Sequence, residues 1–364
     1  MITRRNMVLG AGGLALAGGA AYLATQGPNY DDAIETVWKN RAADEDGDLN
    51  YLVHYARLAA NSHNTQPWTF RKTVEGVLIS PDMGRATPVV DPDSHHLFAS
   101  LGCTAENLAL AAAAQGKGAA INFVDQSDGA VQIELGSSPA AKDPLFDTII
   151  ERQCTRNDYD GRTVPAAELR LLEESARIDG CQVVLVTDKP KIEQILELIV
   201  AGNTAQIEDP AFGAELKSWL RFSATSAVNK ADGLYATCSG NPTMPDWLGS
   251  LIFGFVFTAA GENEKCARQV KSSAGLAIFV ADENDKAHWV KAGRSYQRFA
   301  LNATSLGIKH AFLNQAVEVP EQRAKLAALL GVEGKRPNLL VRFGYGQPMP
   351  RSMRRPVRDV ILPA

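Results

Sequence analysis

The stretch Ser62-His63-Asn64-Thr65-Gln66-Pro67-Trp68 is followed, about ninety residues later, by Arg152-Gln153-Cys154-Thr155-Arg156. The first stretch is rich in side-chain amide and hydroxyl groups, which can hydrogen-bond the edge of a planar heterocycle. The second carries two guanidinium groups, which bind phosphate through charge-assisted hydrogen bonds. A planar ring and a phosphate together indicate a flavin nucleotide, and each part of the chain would supply half of its site.

The composition is that of a globular protein. The chain has 364 residues, of which 45% are hydrophobic and 21% are charged, so it can bury one large core or two medium ones. The net charge of -4 provides no basic field, and Lys/Arg runs interleaved with aromatic residues are absent from the sequence outside its C-terminal tail. We therefore expect no nucleic-acid partner.

The N-terminal residues 1–28 read as a targeting segment. Arg4 and Arg5 precede an Ala/Gly/Leu-rich run from Met7 to Ala24, which is typical of a twin-arginine export signal. We expect the protein to be exported to the periplasm or the cell envelope. An uncleaved membrane anchor is the alternative, because the run approaches the roughly 20 apolar residues of a spanning helix.

Two helical segments of the chain repeat one another. Gly102 to Gly116 has the same spacing as Gly293 to Gly307, and apolar residues recur at matching positions with helical periodicity. The matched positions are Ala105, Leu108, Ala109 and Ala112 in the first segment and Tyr296, Phe299, Ala300 and Ala303 in the second. The pattern favours two related subunits fused in tandem, with chance similarity of Ala-rich helices as the alternative.

The register of this repeat divides the chain into residues 29–140 and 141–364, with an insert at 202–266 that has no counterpart in the first half. Helices and strands alternate without β-α-β regularity. We therefore predict an α+β fold in which helices flank mixed sheets, and not a doubly wound sheet.

The insert contains the most apolar run beyond the targeting segment, Trp247 to Ala260. At about fourteen residues this run is too short to span a bilayer, so we predict a buried helix, a pocket wall or a lid. Trp219 and Trp247 are expected to pack in the core of the insert.

Other candidate sites are weaker. His95 and His96 are adjacent and so do not share a helix face, which favours a surface pair over a metal site. The five cysteines are scattered without a C-x-x-C pair, which argues against a zinc site and a disulfide framework. The sequence has no G-x-S-x-G motif, which removes the common serine-hydrolase interpretation.

Three motifs in order resemble those of the nitroreductase family. Ala60 to Trp68 resembles the pattern P-S-S-x-N-x-Q-P-W, and Arg152-x-Cys154-x-Arg156 resembles R-x-S-x-R. Gly344-Tyr345-Gly346, followed by Arg354-Arg355-Pro356-Val357, resembles the closing strand and basic tail of that family. The resemblance covers about residues 30 to 362 and is closest to the tandem-duplicated, Acg-type branch.

The resemblance implies one composite FMN site per chain. In nitroreductases the FMN lies at a homodimer interface, with the arginine motif from one subunit and the P-S-S-x-N segment from the other. Here each half carries only one of the two motifs. The chain would then be a monomer that mimics a dimer and has lost the second site.

The resemblance also assigns roles to individual residues. Two departures from the family pattern are Ala60-Asn61 in place of Pro-Ser and Cys154 in place of a phosphate-binding Ser; a thiol is the weaker donor, but FMN binding is expected to survive. The implied contacts are Arg152, Cys154, Arg156 and either Arg354 or Arg355 for the phosphate and ribityl end, Asn61, Ser62 and Asn64 for the isoalloxazine, and Asn314 and Gln315 for the region of flavin N5 and O4.

The sequence therefore predicts an exported FMN-dependent oxidoreductase in which the flavin transfers two electrons to a small-molecule acceptor, without a catalytic side chain. A flavin-sequestering protein and an apo scaffold used in interactions are the alternatives. Because NADH and NADPH are cytosolic, we expect a quinol, a protein partner or a small reductant as the donor. Trp247 to Ala260 would lie near the flavin entry, close to a membrane.

Overall fold

The structure is a computed structural model that describes residues 29–42 and 47–363, so the expected export segment lies outside the described residues. The first half begins with two helices, which precede four strands with one long helix between them. Its elements are α1 (Tyr30–Trp38), α2 (Gly47–Ala56), β1 (Trp68–Lys72), β2 (Gly76–Pro81), α3 (His95–Ala114), β3 (Lys117–Val124) and β4 (Ala130–Pro139).

The second half repeats the plan of a four-stranded sheet with a long helix between the second and third strands. It adds two short strands and several helices, most of which lie between the first two strands of that sheet. Its elements are α4 (Ala166–Ser175), β5 (Cys181–Val186), α5 (Lys189–Glu208), α6 (Pro210–Trp219), β6 (Leu220–Arg221), α7 (Ala224–Lys230), β7 (Leu234–Tyr235), α8 (Asp246–Val256), α9 (Ala259–Lys271), β8 (Gly275–Ala281), α10 (Lys286–Ser305), β9 (Lys309–Phe312), α11 (Gln315–Glu318), α12 (Pro320–Leu330) and β10 (Arg336–Gly344).

The two large sheets share one topology. Their strand orders are β1-β2-β4-β3 and β5-β8-β10-β9, so each sheet orders its strands first, second, fourth, third, and the long helix connects the second strand to the third. This shared order supports the tandem duplication over chance similarity, and the α+β class is confirmed. The expectation of mixed sheets needs correction, because every pairing within these two sheets is antiparallel.

The long helices α3 and α10 cross at their matched glycines. A Cβ on Gly102 would lie 2.0 Å from the Val290 carbonyl oxygen, and a Cβ on Gly293 would lie 1.8 Å from the Ala99 carbonyl oxygen. Each glycine therefore meets the residue three positions before its counterpart. This reciprocity is the contact pattern of a two-fold interface, and it holds the halves together as two subunits would be held.

The hydrophobic core extends on both sides of the second sheet. All seven residues of β8 are buried, because α10 covers one face of this strand while α5 and the α11–α12 region cover the other. Ala277 and Phe279 join the cluster shared with α3 and α10, and Ile278 and Val280 join a second cluster with α5. A strand buried on both faces reads as a continuous apolar run, as β8 does.

One described helix, α3, is long and apolar enough to cross a membrane by length and composition alone. Its most apolar window is 83% buried inside the protein. The helix therefore forms part of the core that joins the two halves.

Some predicted boundaries differ from those of the structure. The expected insert, 202–266, begins inside α5 and ends inside α9.

The predicted burial of Trp247 to Ala260 is wrong for most of that run. Trp247 and Phe255 on α8 are 70% and 82% exposed, and Leu251 and Val256 are also exposed. These side chains recur at helical spacing, so α8 presents one apolar stripe outward. The opposite side of α8 packs closely, since a Cβ on Gly249 would meet the Phe222 ring at 2.3 Å.

Candidate functional site

Two cavities adjoin one another between the halves. The larger has a volume of about 270 Å³ and the smaller a volume of about 40 Å³. Ala60, Asn61 and Arg156 line both cavities. The two sequence stretches that lie about ninety residues apart therefore meet where the cavities join.

The loop after α2 has an unusual backbone. His63, Asn64 and Gln66 have φ values of 48°, 54° and 53°, in the left-handed region that side chains other than glycine and asparagine rarely adopt. Such strain persists only where the surrounding structure fixes it, and it is common at binding sites. The loop presents Asn61, Ser62 and His63 to the larger cavity.

The side chains of Asn64 and Gln66 fix this loop by hydrogen bonds to other parts of the chain. The Asn64 amide donates to the carbonyl oxygens of Gly233 and Met353, at 3.0 and 3.1 Å, and its oxygen accepts from Arg354 at 2.9 Å. The Gln66 amide donates to the Ala231 carbonyl oxygen at 2.9 Å. The insert and the C-terminal tail therefore clamp the loop. Asn64, expected to meet the isoalloxazine, lines the smaller cavity instead.

The smaller cavity is strongly cationic. Four arginines line it, and its lining residues include no carboxylate; these arginines are Arg152, Arg156, Arg351 and Arg354. Such a concentration of guanidinium groups suits a phosphate dianion, which offers several acceptor oxygens. The basic tail, which alone would read as a surface segment, therefore returns to the site.

Arg152 and Arg156 keep donors for a ligand. Arg152 is only 2% exposed and donates to the Leu58 carbonyl oxygen at 3.0 Å. Its Nε is buried and has no hydrogen-bond partner among the described residues. Arg156 donates through Nη1 to the Cys238 carbonyl oxygen at 3.3 Å.

Arg354 and Arg355 differ in role from what the sequence suggested. Arg354 donates to the carbonyl oxygens of Arg57, Leu58 and Ala59. Burial, together with neighbouring guanidinium groups, lowers the pKa of Arg354 to about 9. The Arg354 guanidinium therefore caps the C-terminal end of α2 by binding the carbonyl oxygens that follow it. Arg355 is not among the residues that line the two cavities, and it contacts Asp82 at 3.5 Å, so of the two alternatives Arg354 lies nearer the arginine cluster.

Cys154 lies at the wall of the smaller cavity. Its Sγ is 4.0 Å from Nη1 of Arg152 and 3.7 Å from the Tyr296 hydroxyl, and its backbone bridges to that of His310. Burial alone would raise the thiol pKa, but His310 and the charges of Arg152 and Arg156 lower the pKa of Cys154 to about 5. The residue is therefore a thiolate near neutral pH, which adds one negative charge to the arginine cluster.

The larger cavity collects the residues expected to meet the ring. Asn61, Ser62, Asn314 and Gln315 all line it. Asn314 is fixed, since its Oδ1 accepts from the Leu340 amide at 2.9 Å. The Oε1 of Gln315 is buried without a hydrogen-bond partner among the described residues. The first half and the second half thus supply opposite walls.

A buried polar wall of the same cavity was missed. His96 Nε2 lies 3.1 Å from Glu318 Oε1, and the Gln206 amide donates to the other Glu318 oxygen at 2.6 Å. The predicted surface pair is wrong, because His95 and His96 are 1% and 3% exposed. They begin α3 under the loop 87–94, and sequence adjacency alone could not reveal that cover.

His95 belongs to a separate ion cluster behind His96. Its Nδ1 lies 3.0 Å from oxygens of both Asp91 and Asp93, and Asp93 contacts Arg336 at 2.6 Å. Ligand atoms of Asp91, Asp93 and His95 lie close enough to hold a metal ion. Arg336 already neutralises one of these carboxylates, and a metal ion there would have to compete with it.

The insert forms part of the larger cavity. It contributes Phe212 and Leu216 from α6 and Phe257 after α8, with Gln206 and Glu262 adding polar groups. The expectation of a pocket wall is therefore confirmed for Phe257. Trp219 is only partly buried and lies under the guanidinium groups of Arg85 and Arg221, at 5.7 and 6.0 Å.

The donor set fits a flavin mononucleotide. The smaller cavity offers cations for a phosphate, including a buried Arg152 nitrogen without a partner among the described residues. The adjoining cavity offers amide and hydroxyl groups, including the unpartnered oxygen of Gln315, beside apolar walls. These are the groups that a phosphate, a pyrimidine edge and an aromatic platform need.

Comparisons with known proteins bear on the family. No family model matches the chain. A Mycobacterium tuberculosis protein with the provisional name NAD(P)H nitroreductase is 24% identical over 327 residues, which cover 85% of this chain and 90% of that protein. The Acg protein of the same organism, which also has that provisional name, is 23% identical over 330 residues, which cover 86% of this chain and 94% of that protein.

Among solved structures, a nitroreductase with bound FMN from Desulfitobacterium hafniense covers 61% of this chain and 98% of its own, at 18% identity and a TM-score of 0.38. An FMN-dependent nitroreductase from Mycobacterium smegmatis, in complex with NADPH, covers 56% and 92%, at 15% identity and a TM-score of 0.37. The sequence relatives, which match over most of their length, confirm the resemblance to the nitroreductase family, with Acg-type proteins among the relatives.

Proposed function

We propose that the chain is an FMN-dependent oxidoreductase that transfers two electrons to a small-molecule acceptor. The observation that carries the proposal is the junction of an arginine-lined cavity with a larger amide-lined cavity, where Asn61 from one half meets Arg156 from the other. The sequence relatives provisionally named as NAD(P)H nitroreductases support the same chemistry.

Each cavity would hold one end of the cofactor. Arg152 and Arg156 bind the phosphate in this proposal, and Asn61, Ser62, Asn314 and Gln315 face the ring system. When bound, FMN supplies the two-electron chemistry. The protein's own contribution is to orient the ring between fixed amide groups and to exclude water from it with Phe212, Leu216 and Phe257.

A single FMN per monomeric chain follows from this arrangement. The reciprocal contact at Gly102 and Gly293 already occupies the two-fold interface that a second subunit would need. We expect native mass spectrometry of the purified protein to show one chain with one FMN. Two FMN molecules per chain, or FMN found only in a dimer, would contradict the composite site.

Export and the electron donor are a further part of the proposal. The twin-arginine pattern at Arg4-Arg5 supports export to the periplasm or the cell envelope. The exposed stripe of Trp247, Leu251 and Phe255 supports contact with a membrane surface. The donor would then be a quinol, a protein partner or a small reductant in place of NAD(P)H.

Two measurements test export and the donor. Fractionation of cells should place the tagged wild-type protein outside the cytosol. Replacing both Arg4 and Arg5 with Lys should keep the protein in the cytosol. Anaerobic stopped-flow reduction of the holoprotein should be slow with NADPH and faster with a soluble quinol. Rapid, saturable reduction by NADPH together with a cytosolic location would refute both inferences.

A flavin-sequestering protein is the second candidate. The insert favours it, since its apolar side chains Phe212, Leu216 and Phe257 line the larger cavity and would pack against a bound ring. A holoprotein whose flavin is reduced by dithionite but exchanges electrons with no physiological class of donor or acceptor would support sequestration over catalysis.

The phosphate assignment tests the FMN proposal most directly. Arg156→Ala should weaken FMN binding by roughly ten- to a hundredfold, because a hydrogen bond to a charged group contributes about 1.5 to 3 kcal/mol. Riboflavin has no phosphate, so its affinity should change far less. Arg162→Ala is the matched control, since Arg162 is exposed and pairs with Asp160 at 2.8 Å away from both cavities. An equal loss of affinity for both ligands would assign Arg156 to the fold.

A further inference from the structure

The polar wall of the larger cavity is built around one carboxylate. Glu318 belongs to α11, His96 to α3 and Gln206 to α5, so three elements meet there. Both oxygens of Glu318 are engaged, one with His96 Nε2 at 3.1 Å and one with the Gln206 amide at 2.6 Å. The Glu318 side chain is 12% exposed and that of His96 is 3% exposed. The pair is therefore fixed and almost dry, yet both residues line the cavity.

The surroundings keep Glu318 ionised. Burial alone would raise the pKa of Glu318, but the hydrogen bond and charge of His96, the Gln206 amide and His63 together lower it. Across the cavity, burial lowers the pKa of His63, which favours its neutral form. When His96 is protonated, its Nε2 and the Glu318 carboxylate form an ion pair over a distance of 3.1 Å.

The other charged groups near the His96–Glu318 pair belong to His95, Asp91, Arg156 and Glu262. The His95 ring lies 3.9 Å from the His96 ring and is held by Asp91, which also accepts the His96 backbone amide at 3.1 Å. Arg156 and Glu262 line other parts of the cavity. The His96–Glu318 pair therefore combines ion-pair contact with a place on the cavity wall, where an acceptor molecule could reach Glu318, the more exposed of the two side chains.

We propose that the His96–Glu318 pair donates the proton that completes reduction of the acceptor. The inference rests on the proposed oxidoreductase function, and it concerns acceptors whose oxygen becomes a hydroxyl group. The acceptor gains two electrons and one hydrogen as a hydride equivalent from the reduced cofactor, which returns to its oxidised state. The proton leaves His96 Nε2 and passes through a Glu318 oxygen, on the more exposed side chain of the pair, to the acceptor oxygen; His96 is then neutral and Glu318 is again a carboxylate. Solvent then reprotonates His96.

A pair of acceptors tests this role. The holoprotein is photoreduced without oxygen and mixed with either 1,4-benzoquinone, which must gain protons, or ferricyanide, which takes electrons alone. Glu318→Gln and His96→Gln should each slow reoxidation by benzoquinone about a hundredfold, the usual range for a general acid, and should leave reoxidation by ferricyanide within about twofold of wild type. Glu321→Gln, on the exposed face of α12, should change neither rate.

A second readout does not depend on turnover. In ¹⁵N-histidine NMR spectra of the oxidised protein at one fixed pH, Glu318→Gln should shift the ring signals of one buried imidazole, because the variant lacks the carboxylate that lies 3.1 Å from Nε2 of His96. His96→Gln should remove that same signal. The Glu321→Gln spectrum should match wild type.

The outcomes separate this inference from the function on which it rests. Equal slowing with benzoquinone and ferricyanide, or no slowing with either, would overturn the proton-donor role while leaving the flavoprotein intact. Unchanged imidazole signals in the Glu318→Gln spectrum would also overturn it. Failure of the wild-type protein to bind FMN would refute the proposed function itself, and the inference with it.

Discussion

The crossing of α3 and α10 predicts a large effect from adding one carbon atom. Gly293→Ala would place a Cβ 1.8 Å from the Ala99 carbonyl oxygen, which belongs to helix backbone and cannot rotate away. Since a carbon atom normally lies about 3.3 Å or more from a carbonyl oxygen, the helices must separate by roughly 1.5 Å. The substitution therefore acts on the contact that joins the two halves.

Several contacts near the crossing would lengthen together. The Gln297 amide donates to Asn107 Oδ1 at 2.8 Å, and Cys103 donates to the Gly293 carbonyl oxygen at 3.2 Å. Overpacking costs about 1 to 3 kcal/mol, and each weakened buried hydrogen bond adds about 1 kcal/mol. The better helix propensity of Ala offsets about 1 kcal/mol. We expect a net destabilisation of about 2 to 4 kcal/mol.

The site should respond as well. Ala99, Ser100 and Cys103 lie on the same stretch of α3 and line the larger cavity. A shift of this helix moves one wall of the FMN site against the other. We expect FMN affinity to fall about tenfold, the equivalent of about 1.4 kcal/mol, in addition to the loss of stability.

Urea unfolding and FMN titration measure the two effects. Gly254→Ala is the matched control, because Gly254 lies within α8 and an added Cβ there would meet no other part of the described chain within 4 Å; this variant should gain about 0.5 to 1 kcal/mol and bind FMN as wild type does. If Gly293→Ala proves as stable as this control, the close crossing of α3 and α10 is not what joins the halves.

Three further predictions concern charge and exposure. Cys154→Ser should bind FMN about tenfold more tightly than wild type near neutral pH, because the Cys154 thiolate of the wild type repels the phosphate. As the pH falls below about 5, the thiol takes up its proton, and the two proteins should bind FMN with the same affinity. FMN titrations across that pH range would measure the ratio of the two affinities, and a ratio independent of pH would refute the thiolate. Arg354→Gln should lower the free energy of unfolding by about 3 kcal/mol, since three carbonyl oxygens at the end of α2 lose their donor; urea unfolding would measure the loss, and Arg355→Gln, at a part-buried surface contact, should lose less. Replacing Trp247 and Phe255 with Ser should abolish sedimentation with anionic lipid vesicles while leaving FMN affinity unchanged, because both side chains are exposed and lie outside both cavities; undiminished sedimentation would contradict membrane contact through α8.

The sequence by itself determined the features that depend on local pattern. The spacing of Gly102 and Gly293 predicted two matched helices, and the structure confirms them as the crossing pair. The alternation of helices and strands without β-α-β regularity predicted the α+β class, which the structure confirms. The two binding motifs predicted a site shared between the halves, because each lacks what the other carries.

Tertiary structure decided which polar groups remain free. Arg354 and Asn64 carry suitable chemistry for a ligand, but the folded chain commits their hydrogen bonds to the backbone and to one another. The sequence predicted a surface position for His96. In the structure His96 is buried and contacts Glu318, which lies more than two hundred residues away in the sequence. Residue type and spacing determine what a side chain can bond, whereas long-range packing determines which of those bonds the protein itself has already made.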